Sequence, residues 1–215
     1  MKIGVIGSGI VGRVLASAFL QEGYQVMLGS RDVAKAEVVK WKSGNEKGLI
    51  GNFEETASFA DIIVLSTGGK VAVNAIELAG KNNFSGKIVI DTTNPIDDSP
   101  PVNGVLKFFT VQGRSLMEML QDTVPEARFV KAFNSVGNAV MYKPAYNGQV
   151  PSMFICGNDA ASKKTVTGIL EKFGWETEDM GTAASAGVIE SLCILWCIPG
   201  FLRNEWTHAF KLLKK

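Results

Sequence analysis

The stretch "KIGVIGSGIVGRVLASAFLQEG", residues 2–23, decides the fold. It opens on a short apolar run that ends at Gly7. It continues with Val11, Val14, Leu15, Ala18 and Phe19 at the spacing of one helix face, and Gly23 stops it. Between strand and helix, Gly7-Ser8-Gly9-Ile10-Val11-Gly12 fits G-x-G-x-x-G. In that context the three glycines have separate tasks. Gly7 permits the tight turn, Gly9 lets a pyrophosphate approach the backbone, and Gly12 lets helix and strand pack closely. The helix N-terminus then offers unpaired N–H groups and a partial positive charge to the phosphates. The expected ligand is a dinucleotide.

The next strand, "YQVMLG" (24–29), tells which one. An NAD site carries Asp or Glu at the end of this strand, where it accepts from the ribose hydroxyls. Here that place reads Gly29-Ser30-Arg31. Without the acid, nothing repels a 2′-phosphate. Ser30 can donate to it, Arg31 offers a planar fork of donors, and Lys35 adds charge a helical turn further on. The site reads as selective for NADP(H). Asp32 is expected to be the N-cap of a helix over 33–42.

The pattern then alternates. Strands are expected at 48–52, 61–67, 87–93, 128–134, 152–157 and 175–181. Helices are expected at 53–60, 70–82, 115–124 and 159–174, the last capped by Asp159 and closed by Gly174. A loop rich in Pro, Asp and Asn spans 94–104. The remainder, 182–214, reads as helical with a break at Pro199-Gly200. Repeated strand–helix–strand units require parallel pairing and right-handed crossovers. The fold class is therefore α/β: a doubly wound, mostly parallel Rossmann sheet with a short helical C-terminal tail. We expect an NADP(H)-binding domain with added strands over 1–180 and a helical segment over 181–215 packing on it.

A net charge of +1 provides no excess of Lys and Arg for nucleic acid. The N-terminal apolar run is too short for a signal peptide. The longest apolar stretch, "SLCILWCIPGFL" (191–202), is expected to be a buried helix ending at Pro199, too short to span a bilayer. A cytoplasmic protein without membrane partner is expected. Cys156, Cys193 and Cys197 show no framework spacing and read as reduced core thiols, with no metal site.

The segments "IGVIGSGIVG", "LASAFLQEGYQVMLGSRD", "ADIIVLS", "IVIDTTNPI", "RSLMEMLQDTVPEARFVKAFNSVG", "MFICGND" and "DMGTAASAGVIESLCILW" follow one another in order. Together they resemble the F420-dependent NADP oxidoreductases, and are also similar to the NADPH-oxidising domain of the STEAP metalloreductases. The resemblance implies NADP(H) across the C-terminal strand ends, a small-molecule hydride acceptor of flavin or deazaflavin (F420) type, and a homodimer. It implies phosphate contacts from Ser8, Gly9, Ile10 and Val11, and 2′-phosphate contacts from Ser30, Arg31 and Lys35. It implies that Thr67, Val71, Asn94, Pro95, and Ala132 to Asn134 border the nicotinamide half. It puts the acceptor near the helix that begins about Ala183. The chain departs from the family at Thr67-Gly68-Gly69-Lys70, where an apolar residue and a proline are usual. It departs again at Ala186-Gly187-Val188-Ile189-Glu190-Ser191-Leu192, which lacks the family's Arg and Pro. Glycines at 68, 69 and 187 are expected to leave open space on that side.

Hydride transfer between stacked rings needs position and exclusion of water more than acid–base help. No catalytic acid or base is assigned, and the single histidine, His208, is expected at the surface. Two rival readings remain. One is a non-catalytic NADP(H)-binding redox sensor. The other is a short relative of the β-hydroxyacid dehydrogenases or pyrroline-5-carboxylate reductases, which normally carry a long helical domain where only 35 residues follow residue 180 here.

Overall fold

The computed structural model describes residues 1–111 and 113–215. Eight strands and seven helices follow in order: β1 (Lys2–Ile6), α1 (Ile10–Gln21), β2 (Gln25–Gly29), α2 (Ala36–Gly44), β3 (Leu49–Gly51), α3 (Phe53–Phe59), β4 (Ile62–Leu65), α4 (Ala72–Ala79), β5 (Ile88–Asp91), α5 (Leu116–Thr123), β6 (Arg128–Lys131), β7 (Ser152–Ile155), α6 (Ala160–Lys172), β8 (Glu176–Asp179) and α7 (Ala186–Arg203). The first six strands form one parallel sheet in the order β3-β2-β1-β4-β5-β6. The order reverses between β1 and β4. That crevice is where an open α/β sheet holds its ligand.

The strands are apolar without interruption because both faces of the sheet are covered. Their alternation sorts side chains into two cores. Ile3, Val5, Ile62, Val64, Ile90 and Val130 join Phe19, Phe173 and Trp175 beneath α1 and α6. Ile6, Ile63, Leu65, Val89 and Phe129 join Phe84, Leu116 and Leu120 on the other face, beneath α3, α4 and α5. Each fully buried Phe or Leu contributes about 1.5–3 kcal/mol of transfer free energy. Local signals agree with this packing. Asn52 with Glu55, and Ser115 with Glu118, close reciprocal capping boxes on α3 and α5, and Asp159 accepts from Ser162 N–H at the start of α6.

Four expectations need correction. First, β7 and β8 do not extend the main ladder. They pair in parallel with each other, and one antiparallel bridge, Lys131 to Cys156, ties them to β6. Second, Asp32 does not cap α2. Its Oδ1 accepts from Ala34 N–H at 2.9 Å and its carbonyl closes a turn with Lys35, so α2 starts at Ala36. Third, α7 does not end at Pro199. It runs to Arg203, where Asn204 in the left-handed region (φ 57°) closes it. The helical segment Ala183–Arg203 has 21 residues, and an 18-residue window within it has a mean hydropathy of 1.7, which by length and composition suffices to cross a membrane. Fourth, residues 204–215 are not helical. They run back along β7, where Ser152 N–H donates to Phe210 O at 2.9 Å and Leu212 N–H to Ser152 Oγ at 3.1 Å. His208 is therefore not a surface residue. Half-buried, it stacks on Trp196 with ring centroids 4.9 Å apart, and the Trp196 indole donates to its carbonyl.

Candidate functional site

The C-terminal ends of β1, β2 and β4 surround a cavity of about 380 Å³. Gly7, Ser8 and Gly9 form one wall, Ser30, Arg31 and Lys35 a second, and Ser66, Thr67 and Val71 a third. The glycine loop fits the tasks read from its spacing. Gly7 has φ of 117°, a region closed to most side chains. A Cβ on Gly12 would come within 1.9 Å of Gly7 O, so helix α1 can reach the loop only with glycine there. A Cβ on Gly9 would meet nothing within 4 Å: that side of the loop is open. Gly9 caps α1 without a side-chain hydrogen bond and no acidic residue stands in the first turn, so the helix N-terminus keeps its donors for an anion.

The end of β2 carries the residues expected to read the ribose. Ser30 is buried, and its hydroxyl donates to Asp32 O at 2.7 Å while accepting from Ser8 Oγ at 2.9 Å. It is thus already built into the turn, and it ties the glycine loop to β2. Arg31 is exposed on the cavity wall and has no carboxylate partner within 4 Å among the described residues. Lys35 stands 3.7 Å from Glu37 and half exposed. The Asp32 carboxylate is tied to its own turn through Ala34 N–H.

A second cavity, of about 280 Å³, adjoins the first through the shared residues Ser66, Thr67 and Gly68. Val11, Gly69, Lys70, Thr92, Thr93, Asn94, Ile96 and Asp98 complete its lining. Thr67 Oγ1 is buried at the junction with no hydrogen-bond partner among the described residues. Such an atom is costly unless a ligand or water pairs it.

The expected residues divide accordingly. Gly7, Ser8, Gly9, Ser30, Arg31, Lys35, Thr67 and Val71 line the first cavity, and Val11, Thr67 and Asn94 the second. Ile10 is turned away beside Arg13 and Asn138. Gly12, Pro95, Ala132 and Asn134 line neither cavity. Asn134 acts one layer down. Its Nδ2 donates to Asn94 Oδ1 at 3.1 Å and to Ile189 O at 2.9 Å, while Asn94 Nδ2 donates to Asn134 O at 2.7 Å. The expected open space holds only in part. A Cβ at Gly68 would meet nothing, whereas one at Gly69 would lie 2.1 Å from Asn94 O. A Cβ at Gly187 would touch only Ser115 Cβ, at 3.8 Å, and Gly187 lines another cavity, of about 580 Å³, with Phe108, Arg114, Ser115 and Val188.

Sequence reasoning missed Ser66, which lines both cavities and whose Oγ donates toward Ile6 O and Gly7 O at 3.1 Å each. Its signal was available, since it directly follows β4 at the sheet's reversal. It also missed the buried ions behind the second cavity. Lys131 Nζ lies 2.6 Å from Asp91 Oδ2 and 2.8 Å from Glu190 Oε1, and it donates to Thr93 O at 2.9 Å. Burial works against the lysine charge, but the Asp91 and Glu190 carboxylates outweigh it and hold the amine above the ordinary lysine range. Among the described residues no group of His, Cys, Asp and Glu is arranged to hold a metal ion.

Known proteins share this fold and much of this sequence. The family described as "NADP oxidoreductase coenzyme F420-dependent" matches residues 2–95. A crystal structure from Arthrobacter sp. FB24, provisionally assigned as an F420-dependent NADP reductase, is 31% identical, superposes with a TM-score of 0.93, and covers 100% of both chains. The F420-dependent NADP reductase of Methanocaldococcus jannaschii is 28% identical over 202 residues, 89% of each sequence. Metalloreductase STEAP3 of Rattus norvegicus is 27% identical over 214 residues, which is 94% of this chain but only 39% of the rat protein. With the Rossmann sheet, the glycine loop and the acid-free end of β2, these likenesses identify an NADP(H)-dependent oxidoreductase that belongs to the coenzyme F420-dependent NADP oxidoreductase family.

Proposed function

We propose that the chain passes hydride between NADP(H) and a flavin- or deazaflavin-type acceptor of the F420 kind. The observation that carries this reading is the pair of adjoining cavities that share Ser66, Thr67 and Gly68. In this reading the first holds the adenosine phosphates, and the second the nicotinamide with room for a second flat ring beside it. The nicotinamide supplies the hydride, so the chain has to bind, orient and exclude water. Backbone N–H groups from Ser8 to Val11 hold the pyrophosphate. Arg31 and Lys35, with Ser30 once its hydroxyl turns, hold the 2′-phosphate. Thr67 Oγ1 takes a polar group of the nicotinamide half. Val71, Asn94 and Pro95, backed by Ala132 and Asn134, keep its wall in place.

The chain is read as one cofactor-binding unit over 1–180 on which residues 181–215 pack, working in the cytoplasm as a homodimer. What supports the dimer is the outer side of α7. Val188, Leu195 and Leu202 are 72%, 54% and 56% exposed, and Val102 and Val105 stand exposed on the loop that touches Leu202. A contiguous apolar patch of this kind on one helix fits self-association. The test of the function is NADPH oxidation with riboflavin, FMN and F420, each against an NADH control. Tight NADPH binding with no turnover on any of them would leave a sensor as the better reading.

A further inference from the structure

Three charges are buried together behind the second cavity. Lys131 Nζ lies 2.6 Å from Asp91 Oδ2 and 2.8 Å from Glu190 Oε1, and all three side chains are shut off from solvent. The cluster reaches the cavity through one wall residue, Thr93. Thr93 gives its N–H at 2.8 Å and its hydroxyl at 2.7 Å to Asp91 Oδ1, and its carbonyl accepts from Lys131 Nζ at 2.9 Å. Among the described residues, only donors meet the two carboxylates: Thr93 and Lys131 at Asp91, and Lys131 with the Leu116 and Met117 N–H groups at Glu190. Both acids are therefore accommodated as anions. Two carboxylates against one ammonium leave one negative charge in excess, and no second cation pairs with either acid among the described residues. The N-terminus of α5, which Glu190 caps, offsets about half a charge. Cys156, whose carbonyl accepts from Lys131 N–H at 3.0 Å, adds none: burial pushes its thiol up to about 12.

We propose that this buried excess of negative charge biases the bound nicotinamide couple toward its oxidised form. The inference rests on reading the second cavity as the place of the nicotinamide. Hydride donation breaks the C4–H bond of the reduced ring and carries the hydrogen and both electrons to the acceptor, which leaves one positive charge behind. A negative charge fixed behind Thr93 stabilises that positive ring, and the transition state in which it develops, over the neutral reduced ring. On the protein, the transfer is thereby tilted toward taking hydride from NADPH. Asp91 and Glu190 act from behind Thr93 and are positioning residues, not catalytic ones. Lys131 and the α5 N-terminus moderate the field, so the two cofactor forms should differ in affinity by about twofold to fivefold on this account. Burial spares the cluster from salt, which screens the exposed Lys70, Asp97 and Asp98 at the cavity rim.

The readout is the ratio of the dissociation constants of NADPH and NADP+, measured by titration calorimetry at about 0.15 M salt. A role in folding alone would weaken both forms together and leave the ratio where it was. The wild type should bind NADP+ at least as tightly as NADPH. Glu190→Gln and Asp91→Asn each cancel the excess charge and should weaken NADP+ relative to NADPH by about twofold to fivefold. The Lys131→Met/Glu190→Gln double variant removes one charge of each sign and keeps the excess, so it should hold the wild-type ratio. Melting temperatures establish that each variant is folded, and the wild-type comparison needs none of them. A clear wild-type preference for NADPH overturns the bias while leaving the cofactor reading intact. So does a ratio unmoved in both folded single variants, or one that the double variant moves as far as Glu190→Gln. A wild type that binds neither form is a different result: it overturns the cofactor reading and the bias with it.

Discussion

The Lys131 ammonium lies 2.8 Å from Glu190 Oε1, and both side chains are shut off from solvent. Glu190 also receives the first two N–H groups of α5, from Leu116 and Met117, at 3.0 Å each. One carboxylate of α7 thus shares with Asp91 a lysine at the end of β6 and caps a neighbouring helix, while Lys131 holds the Thr93 carbonyl on the floor of the second cavity. Its neighbour Ile189 accepts from Asn134. The helix is pinned behind the second cavity at two successive residues.

Glu190→Ala leaves Lys131 paired with Asp91 but strands two buried N–H groups. At about 1–3 kcal/mol for each, it is expected to cost about 2–6 kcal/mol of folding stability, read as the shift in urea unfolding. A loss within about 0.5 kcal/mol, the range of ordinary surface substitutions, would mean that these bonds are not formed in solution.

The same lysine makes a statement about pH. Its amine is held above the ordinary value of 10.5 in the folded chain. A raised value means that its contribution is fully present below the unfolded value and is lost as pH climbs through the folded one. Stability from this group should therefore be flat from neutral pH to about pH 10 and fall only beyond it. In Lys131→Met the alkaline fall should shrink. An equal fall in both proteins would assign it to other groups.

Arg31→Ala is expected to weaken NADPH binding about tenfold to a hundredfold, from the loss of a charge-assisted contact of about 1.5–3 kcal/mol. NADH binding should barely change. Fluorescence titration of both cofactors checks this, and equal losses would remove the 2′-phosphate from Arg31.

The glycines at positions 9 and 12 should separate binding from stability. Gly12→Ala forces a methyl against Gly7 O and should cost about 1–3 kcal/mol of stability. Gly9→Ala meets no protein atom and should leave stability within about 0.5 kcal/mol. Its methyl would nevertheless occupy the phosphate approach and weaken NADPH about tenfold, or ~1.4 kcal/mol. Thermal melts with and without NADPH distinguish the two effects.

Legibility of the sequence followed the range of the forces involved. The glycine loop, the apolar strands and the cap at Asp159 depend on residues a few positions apart, and the text carries them directly. Pro199 looked like a stop because proline removes a helix hydrogen bond and crowds the preceding turn, at about 3 kcal/mol. Partners from further along the chain override it here: Trp206 packs on Gly200 and His208 stacks on Trp196. Asp32 was legible as a cap but not as the cap of a turn rather than a helix. Nothing local could join Asp91, Lys131 and Glu190, which come from β5, β6 and α7 and meet only through the sheet order. Nor could the text say that Gly69 makes a contact where it was expected to leave a space.

The outer side of α7 yields the last prediction. Val188, Leu195 and Leu202 recur at helical spacing on the side opposite Ile189, Cys193 and Trp196, which are buried. From Ser191 to Leu202 the helix carries no charged residue. Water would have to cover that surface if it stayed bare, whereas a second copy of the chain related by a twofold axis would cover both at once. The reading requires a chain that is dimeric at micromolar concentration by sedimentation. Leu195→Glu places a charge in the middle of the apolar contact. Burying it unpaired costs several kcal/mol, so the dimer should weaken by more than about a hundredfold, or ~3 kcal/mol. The cavities over β1, β2 and β4 take no lining from Leu195, so NADPH affinity should persist in the monomer. A wild-type chain that sediments as a monomer, or a Leu195→Glu variant that remains dimeric, would leave that face without its proposed partner.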